Sequence, residues 1–314
     1  MIETQSQQWM RGLVGVVVLT LALVANGCSL RAPGTGKPLV MASVYPLAFF
    51  ASQIGGDAVE VRLLVPPGAE PHDWEPTPRD VAAIGDARLL VYNGAGLEPW
   101  IDRLAPSLPA TGPRVIEATS GLPLLSVKVP ASGGGDHGDG VDPHVWLDPE
   151  MAKAQAEVIR SALTAAMPAE AAGFRQRADR LVQRLDALNR SFTQGLAQCR
   201  VRAFVTAHLA FSYLADRYGL EQIAIAGLSP EDTPTPARLA ELTRLVRERQ
   251  VRVVFFEELT SPAVAQTLAR EAGARTGVLD PLEGLSDSAA KAGLDYFGVM
   301  ERNLDALRRA MDCR

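Results

Sequence analysis

The sequence predicts an α/β protein of two lobes, each a mostly parallel β-sheet flanked by helices, joined by one long rigid linker helix. Short apolar runs rich in β-branched residues alternate with helical patterns in both halves of the chain. The runs are continuously apolar, which indicates strands buried on both faces of a parallel sheet. Between the halves, residues 168–198 carry one uninterrupted amphipathic pattern, which indicates a single long helix.

The N-terminus carries a separate signal. Residues 12–25 are apolar, follow Arg11 and end shortly before Cys28. Such a run is too short to span a bilayer comfortably and is typical of a secretory signal. A small residue followed by cysteine resembles the bacterial lipoprotein signal, in which that cysteine is acylated. We therefore predict a signal peptide over residues 1–27 and an exported protein, in the periplasm or on the cell surface, held to a membrane by a lipid on Cys28. A plain cleaved signal peptide is the alternative.

The predicted N-terminal lobe covers residues 38–167. Four strand-like runs, at 39–44, 59–65, 87–93 and 114–118, alternate with helical patterns at 46–54, 76–87 and 98–105. Residues 120–141 interrupt this alternation, and the glycine-rich stretch 132–140 predicts a polar loop. A helix is predicted over 148–167, with Asp148 as its N-cap and Pro149 at the first helical position.

The linker helix and the C-terminal lobe complete the predicted fold. The linker, residues 168–198, repeats apolar residues every three or four positions, at Phe174, Ala178, Leu181, Leu185, Leu188, Phe192 and Leu196. About 30 residues of helix reach about 45 Å, enough to run along both lobes. The C-terminal lobe, residues 199–314, has strand-like runs at 201–207, 220–226, 251–258 and 275–280, separated by helical patterns.

Composition excludes one class of partner. The chain has 314 residues, 47% of them apolar, and a formal net charge of −5. That composition is ordinary for a globular protein with room for two cores, and it offers no basic surface for nucleic acid.

Two cysteines remain after Cys28. Cys199 and Cys313 form an even pair in a chain predicted to be exported, where a disulfide is chemically permitted. A bridge between them would close a loop that stabilises the fold by up to about 4–5 kcal/mol in the chain-entropy model. Two separate buried thiols are the alternative.

The histidines are few and specifically placed. The chain has 4 histidines. His72 lies in the loop that leaves the strand at 59–65, and His208 directly ends the strand at 201–207. Asp280 ends the strand near 275–279, and His144 lies just before the helix at 148–167. Open parallel sheets bind ligands beyond the carboxyl ends of their strands. Three imidazoles and one carboxylate suit a four-coordinate dication such as Zn²⁺, so we predict a metal site between the lobes.

Five dispersed segments resemble, in order and spacing, those of the metal-specific solute-binding proteins of ABC transporters, the zinc and manganese class. The segments are PPGAEPHDWEPTPRDV, NGAGLEPW, DPHVWLDP, TAHLAFSYLADRYGL and VLDPL. The resemblance implies two lobes, one long helix, and one metal ion delivered to a membrane permease. It matches His72, His144, His208 and Asp280 to the four ligands. In this class, members that look manganese-specific have glutamate where this chain has His208. The resemblance therefore implies Zn²⁺ rather than Mn²⁺.

Three acidic or histidine-bearing places remain ambiguous. His137, with Asp136 and Asp139, lies in the glycine-rich loop and indicates either a weak second zinc site or solvated linker. Glu70 is a doubtful extra ligand. Glu257 and Glu258 are adjacent at a strand end, so at most one points inward. That one is expected either to bond a ligating imidazole or to make a structural hydrogen bond.

The predicted function is capture of Zn²⁺ in the cleft and delivery to an ABC permease for import, by a monomer that is not an enzyme. A catalytic zinc keeps one position open for water, whereas four protein ligands are available here. The alternatives are a manganese- or iron-specific member of the same class and, from another class, an exported zinc hydrolase. A surface adhesin, known among relatives of this class, has no support in the residues beyond the predicted anchor.

Overall fold

The structure is a computed structural model that describes residues 36–129 and 138–314. Within it, Pro38–Arg314 form one compact unit. The predicted signal peptide, Cys28, Asp136 and His137 lie outside the described residues.

The N-terminal sheet has four parallel strands. They are β1 (Leu39–Ala42), β2 (Glu60–Leu63), β3 (Leu89–Tyr92) and β4 (Arg114–Glu117), arranged in the order β2-β1-β3-β4. The helices α1 (Tyr45–Gly55), α2 (Pro78–Gly85) and α3 (Ile101–Leu104) connect them. A Thr77–Asp80 capping box begins α2, as is common where threonine precedes a proline-led helix. All four predicted strands are confirmed.

A short hairpin follows, which the sequence analysis did not predict. β5 (Ser126–Val129) and β6 (Gly138–Val141) pair antiparallel inside the stretch predicted to be irregular. The Tyr213 hydroxyl accepts a hydrogen bond from the Leu125 backbone N–H at 2.9 Å and donates to the Asp142 carbonyl at 2.9 Å. These bonds hold the start of β5 and the end of β6 together from a distant part of the chain. The pairing was not predicted because the local sequence, which is rich in glycine, carries no signal of this contact.

Two long helices connect the sheets. Asp148 caps α4 (Pro149–Ala166), as predicted, and accepts a hydrogen bond from the Glu150 backbone N–H. After one 3₁₀ turn at Pro168–Glu170 comes α5 (Ala171–Gly195), which is the predicted long helix with its ends shortened. Its predicted apolar stripe is buried, at Phe174, Ala178, Leu181, Leu185, Leu188 and Phe192.

The C-terminal sheet repeats the arrangement of the first. Its parallel strands are β7 (Ala203–Thr206), β8 (Glu221–Ala224), β9 (Val253–Phe256) and β10 (Arg275–Val278), in the order β10-β9-β7-β8. Its helices are α6 (Ser212–Tyr218), α7 (Pro236–Glu248), α8 (Ala263–Ala272), α9 (Asp287–Lys291) and α10 (Tyr296–Met311). In both sheets the first strand pairs with the second and third, and the fourth lies at an edge. The two-lobe α/β fold is therefore confirmed.

The core differs from the expected pair of separate cores. One cluster of buried apolar side chains runs from the N-terminal sheet, along α4 and α5, to the C-terminal sheet and α10. Smaller clusters cover the outer face of each sheet. The stripe on α5 contacts both lobes, which makes the interior continuous.

The disulfide prediction is confirmed. Cys199 and Cys313 are bonded, at a sequence separation of 114 residues. The bridge joins the end of α10 to the chain entering β7, where Cys199 and Cys313 also form an isolated antiparallel bridge. Across the described ranges, no helix combines the length and apolar character needed to cross a membrane.

Candidate metal centre

Four side chains from four separate chain segments converge on one point. They are those of His72, His144, His208 and Glu283, whose possible ligand atoms all lie within 4.8 Å of one another. His72 lies in a 3₁₀ turn after β2, and His208 follows β7. His144 directly precedes the 3₁₀ turn at Val145–Leu147, and Glu283 follows β10. The site thus lies beyond the carboxyl ends of the strands of both sheets, where open α/β folds bind ligands.

The spacing of the ligand atoms suits a tetrahedral ion. Glu283 Oε1 lies 2.8 Å from His144 Nε2, 3.1 Å from His208 Nε2 and 3.4 Å from His72 Nε2. His144 Nε2 and His208 Nε2 are 3.3 Å apart. Zinc bonds of about 2.0–2.1 Å in tetrahedral geometry place neighbouring ligand atoms about 3.3 Å apart. The four atoms therefore surround a space of the size that one zinc ion requires.

Two of the imidazoles are fixed by carboxylates on their far side. Asp142 Oδ1 lies 2.7 Å from His144 Nδ1 and also accepts a hydrogen bond from the His144 backbone N–H at 2.9 Å. Glu257 Oε1 lies 2.7 Å from His208 Nδ1. A carboxylate on Nδ1 orients the ring, leaves Nε2 for the metal and raises the basicity of the ligand. The structure thus bears out the inward orientation of Glu257 and its contact with an imidazole.

Glu258, the adjacent acid, points elsewhere. Its Oε2 accepts hydrogen bonds from the hydroxyls of Ser286 and Ser288. Those bonds lower the pKa of Glu258. The prediction that only one of the two adjacent acids points inward is therefore confirmed.

His72 is supported less than the other two imidazoles. Its side chain is 11% exposed, whereas those of His144 and His208 are fully buried. In the part of the chain that the structure describes, its buried Nε2 makes no hydrogen bond and lies 3.4 Å from Glu283 Oε1, a longer contact than those of the other two imidazoles. A buried imidazole nitrogen without a partner is costly unless something fills that role, and a metal ion at the centre would do so.

The segment around His144 is bonded to the C-terminal lobe along its length. Trp146 Nε1 donates to the Pro281 carbonyl at 2.7 Å, and the Tyr296 hydroxyl donates to the Trp146 carbonyl. The Arg217 guanidinium contacts Asp148 through two nitrogens, at 2.9 and 2.7 Å. From the N-terminal lobe, Asn93 Nδ2 donates to the Pro143 carbonyl at 2.9 Å. His144 is therefore held in place by contacts with both lobes.

The buried charges stabilise one another. Burial alone would raise the pKa of Glu283, but the surrounding imidazoles, His208 first, hold it well below the ordinary value. Burial alone would lower the pKa of His208, yet the charges of Glu257 and Glu283 hold it well above the ordinary value. Asp142 and Glu283 likewise raise the pKa of His144 against the effect of burial. The carboxylates therefore favour positive charge at the centre, whether carried by protons or by a dication.

Glu70 lies beside the centre but is not one of the four converging side chains. Its Oε1 accepts a hydrogen bond from the His72 backbone N–H at 3.2 Å, while its buried Oε2 has no hydrogen-bond partner. Burial, and then the charge of Glu283, raises the pKa of Glu70 to about 8. Its observed role is to cap the turn that carries His72.

Asp280, the fourth ligand expected from the sequence, does not join the converging group. Its Oδ1 accepts a hydrogen bond from the Leu282 backbone N–H at 2.7 Å, and Asn303 bonds both its backbone N–H and its carbonyl. Asp280 thus builds a turn, in which Leu282 has a positive φ of 59°, and that turn directs Glu283 inward. Glu283 was not predicted as a ligand, although it is the next acid after the same strand.

The family model for the periplasmic zinc-uptake complex component A matches residues 40–310. The zinc-binding lipoprotein AdcA of Streptococcus pneumoniae serotype 4 is 41% identical over 296 residues, which cover 93% of this chain and 59% of that protein. The chain therefore spans about three fifths of that relative's length.

Two further similarities cover a larger share of the protein compared. The high-affinity zinc uptake system protein ZnuA of Bacillus subtilis is 38% identical over 277 residues, 87% of each chain. The crystal structure of the Zn(II)-bound ZnuA-like domain of Streptococcus pneumoniae AdcA superposes with a TM-score of 0.76 at 41% identity. It covers 88% of this chain and 100% of that domain.

Proposed function

The chain belongs to the family of periplasmic zinc-uptake complex component A proteins, and from this premise we propose that it captures one Zn²⁺ ion for import. The proposed ligands are Nε2 of His72, His144 and His208 and a carboxylate oxygen of Glu283. The observation that carries the proposal is the convergence of these four atoms within 4.8 Å, with four of the six distances between them at 2.8–3.4 Å, near the edge of a zinc tetrahedron. The relatives named for zinc binding and zinc uptake support the choice of metal.

The donor set favours zinc over manganese. Three imidazole nitrogens and one carboxylate oxygen suit a borderline-soft ion in four-coordinate geometry, whereas Mn²⁺ prefers more oxygen ligands. Asp142 and Glu257, on the far nitrogens of His144 and His208, keep both rings oriented for a metal. Glu283 contributes one negative charge, which leaves one positive charge of a dication, and the two outer carboxylates place further negative charge close to it.

The arrangement suits capture better than catalysis. Four protein ligands close a tetrahedral shell, and a closed shell leaves no position for the activated water that a zinc hydrolase needs. Because the ligands come from both lobes, the bound ion would hold the lobes together. We therefore propose a binding protein that delivers its ion, not an enzyme.

The proposal includes a partner and a location. We propose that the partner is the membrane permease of an ABC transporter, that the chain acts outside the cytoplasm as a monomer, and that a lipid on Cys28 anchors it. We further propose that residues 38–167 and 199–314 act as the two lobes, and 168–198 as the linker between them. Relatives named as a lipoprotein and as an uptake-system protein support the lipid anchor and the transporter partner.

The direct test is metal analysis of protein purified without chelator, followed by a competition titration with a zinc-binding dye. We expect one zinc per chain. His208→Ala should weaken binding at least about tenfold, because it removes a ligand and leaves Glu257 without its partner. Unchanged zinc affinity in that variant would remove His208 from the site and overturn the proposed ligand set.

The physiological metal requires a test in cells, because affinity in vitro follows the Irving–Williams order whatever metal the cell uses. A strain lacking the gene should grow poorly under zinc starvation and recover when the chain is restored, with no such difference under manganese starvation. Rescue under manganese starvation alone would make the chain a manganese member of its class.

A further inference from the structure

A groove at the β10 edge of the C-terminal sheet contains none of the four proposed zinc ligands. It has a volume of about 530 Å³ and lies between the edge strand β10 and helix α10. Its apolar lining includes Val253 and Phe255 of β9 and Ala306 of α10. Three arginines also line it, Arg275 from the strand and Arg302 and Arg309 from the helix.

The register of the strands explains why the groove is open. Arg275 pairs with Val253 and Gly277 with Phe255, so these four residues share the face of the sheet that α10 covers. At Gly277 a Cβ atom would lie 2.9 Å from Val253 Cγ1 and 3.2 Å from a ring carbon of Phe255. The absence of a side chain there leaves the floor of the groove flat beside the apolar side chains.

The backbone of β10 offers unused hydrogen-bonding groups along the same groove. The N–H groups of Arg275 and Leu279 bond to carbonyls of the β9 segment. Because successive residues of a strand alternate in direction, the N–H and C=O groups of Thr276 and Val278 point away from β9. β10 is the last strand of its sheet, and both residues are exposed. Such an edge is a template for one more strand.

The three guanidinium groups define the charge of an occupant. Among the described residues, Arg275, Arg302 and Arg309 make no hydrogen bond or ion pair through their side chains. Two carboxylates also line the groove, but Glu258 accepts from two serine hydroxyls and Asp280 accepts from the Leu282 N–H. The positive charge of Arg302 contributes to the lowered pKa of Glu258, although the two side chains form no ion pair. With three arginines against two carboxylates, the formal charge of the groove is positive, and arginines lie on both of its walls.

The equivalent groove of the other lobe is different. Between the edge strand β4 and helix α4 lies a groove of about 750 Å³ lined by Arg114, Glu117 and Glu157. Arg114 opens β4 as Arg275 opens β10, but two glutamates accompany it and Glu157 pairs with Arg160. The positive groove is thus a feature of the C-terminal lobe and not of the fold, which gives the chain an internal control.

We propose that the β10–α10 groove binds an extended, acidic segment of a partner protein, which adds as a strand to the free edge of β10. Its backbone pairs with Thr276 and Val278. Carboxylates at alternate positions, all on one face of the added strand, reach the three arginines, and the apolar side chains between them cover the exposed edge. A second copy of this chain does not fit, because pairing two β10 edges would bring like-charged arginines together.

The test uses the full chain with zinc bound and a fluorescein-labelled peptide of alternating glutamate and valine, measured by fluorescence anisotropy at low salt. We expect binding that weakens as salt is added, since the arginines are exposed. Arg302→Gln combined with Arg309→Gln should weaken binding at least about tenfold, whereas the matched variant Arg114→Gln should leave it unchanged. Zinc affinity should stay the same in all variants, which shows that each is folded.

Two further peptides separate strand addition from simple charge attraction. The same peptide with lysine in place of glutamate should not bind. A glutamate peptide N-methylated at alternate bonds should bind at least about tenfold more weakly, because it cannot pair with the strand edge. The proposal is overturned if the N-methylated peptide binds as tightly as the unmodified one or if the parent chain does not bind the glutamate peptide. It is also overturned if the double variant binds that peptide as tightly as the parent chain does. Dimerisation lost in the double variant would also overturn it, in favour of self-association.

Discussion

The two sides of the metal centre are built differently. His144 and His208 are fully buried, and each has a carboxylate 2.7 Å from its far nitrogen. His72 lies on a three-residue turn, is 11% exposed, and makes no hydrogen bond through its Nε2 among the described residues. Three of the proposed ligands, including Glu283, thus belong to a prearranged framework, whereas the fourth, His72, lies on a turn with fewer constraints. We therefore expect the ion to enter from the side of His72, whose side chain is partly exposed.

Alanine substitutions at His144 and His72 test whether the two sides of the site differ in their contribution to stability. His144→Ala removes the imidazole that lies between Asp142 and Glu283, so that Asp142 Oδ1 keeps only a backbone N–H, and Glu283 keeps only His208 and His72. Breaking such buried pairs costs about 3–5 kcal/mol of unfolding free energy. His72→Ala should change the unfolding free energy by less than about 1 kcal/mol, because its side chain has few partners to lose. Denaturant unfolding of zinc-free protein measures both values.

Both alanine variants should lose zinc affinity, since each removes a proposed ligand. Equal losses of stability in the two variants would show that the difference in support between the two sides has no energetic consequence.

The variants Glu283→Gln and Asp280→Asn test which of the two acids is the fourth metal ligand. Glu283→Gln removes the charge that all three imidazoles approach, and zinc affinity should fall by more than about a hundredfold, beyond the usual loss for an outer partner. Asp280→Asn should cost much less, because Asp280 accepts a backbone hydrogen bond in the neighbouring turn. Competition titration measures both, and a larger loss in the Asp280 variant would reverse the assignment.

The outer carboxylates provide a smaller expected effect. Asp142→Asn and Glu257→Gln keep the size of each side chain but remove the charge that orients an imidazole. We expect zinc affinity to fall about 10–100-fold in each variant. His72 has no such carboxylate on its ring, and Glu70→Gln, on the same turn, serves as the matched control with an effect below about tenfold. A control loss as large as the other two would contradict the distinction.

The effect of pH has a definite sign. The raised pKa of His208 means that its stabilising contribution is present below the ordinary value of 6.5 and is lost as the pH rises through the raised pKa. The lowered pKa of Glu283 means that its contribution is present above the ordinary value of 4.5 and is lost as the pH falls through the lowered pKa. Zinc-free protein should therefore gain most from the cluster between these two ordinary values.

Zinc must displace the protons that the imidazoles hold, so zinc affinity should rise with pH and continue to rise above 6.5. Titrations at several pH values measure the slope. Affinity that is constant from about pH 6 to pH 8 would contradict the proposed imidazole ligands.

The sequence predicted the framework because the framework follows from local patterns. Continuous apolar runs specified the eight strands of the two sheets, and the spacing of the apolar residues in α5 specified the long helix. The β5–β6 hairpin was missed because Tyr213, far away in sequence, holds its ends. Two separate cores were expected, but the structure has one continuous core, because the apolar stripe of α5 packs against both lobes.

The histidines of the site, like the strands and the long helix, were predicted from local patterns in the sequence. A histidine at a strand end is visible in the sequence, and all three named histidines converge. The choice between Asp280 and Glu283 depends on a turn with a positive φ at Leu282, which the sequence does not announce. Of the supporting acids, Glu257 was one of two candidates, and Asp142 was recognisable only once its contact with His144 Nδ1 was seen.

The most direct test is a crystal structure of the zinc-loaded chain with anomalous data collected on both sides of the zinc absorption edge. The account predicts one strong peak, about 2.0–2.2 Å from His72, His144, His208 and Glu283 together. A peak bonded to Asp280 in place of Glu283, or a peak away from the three imidazoles, would contradict it.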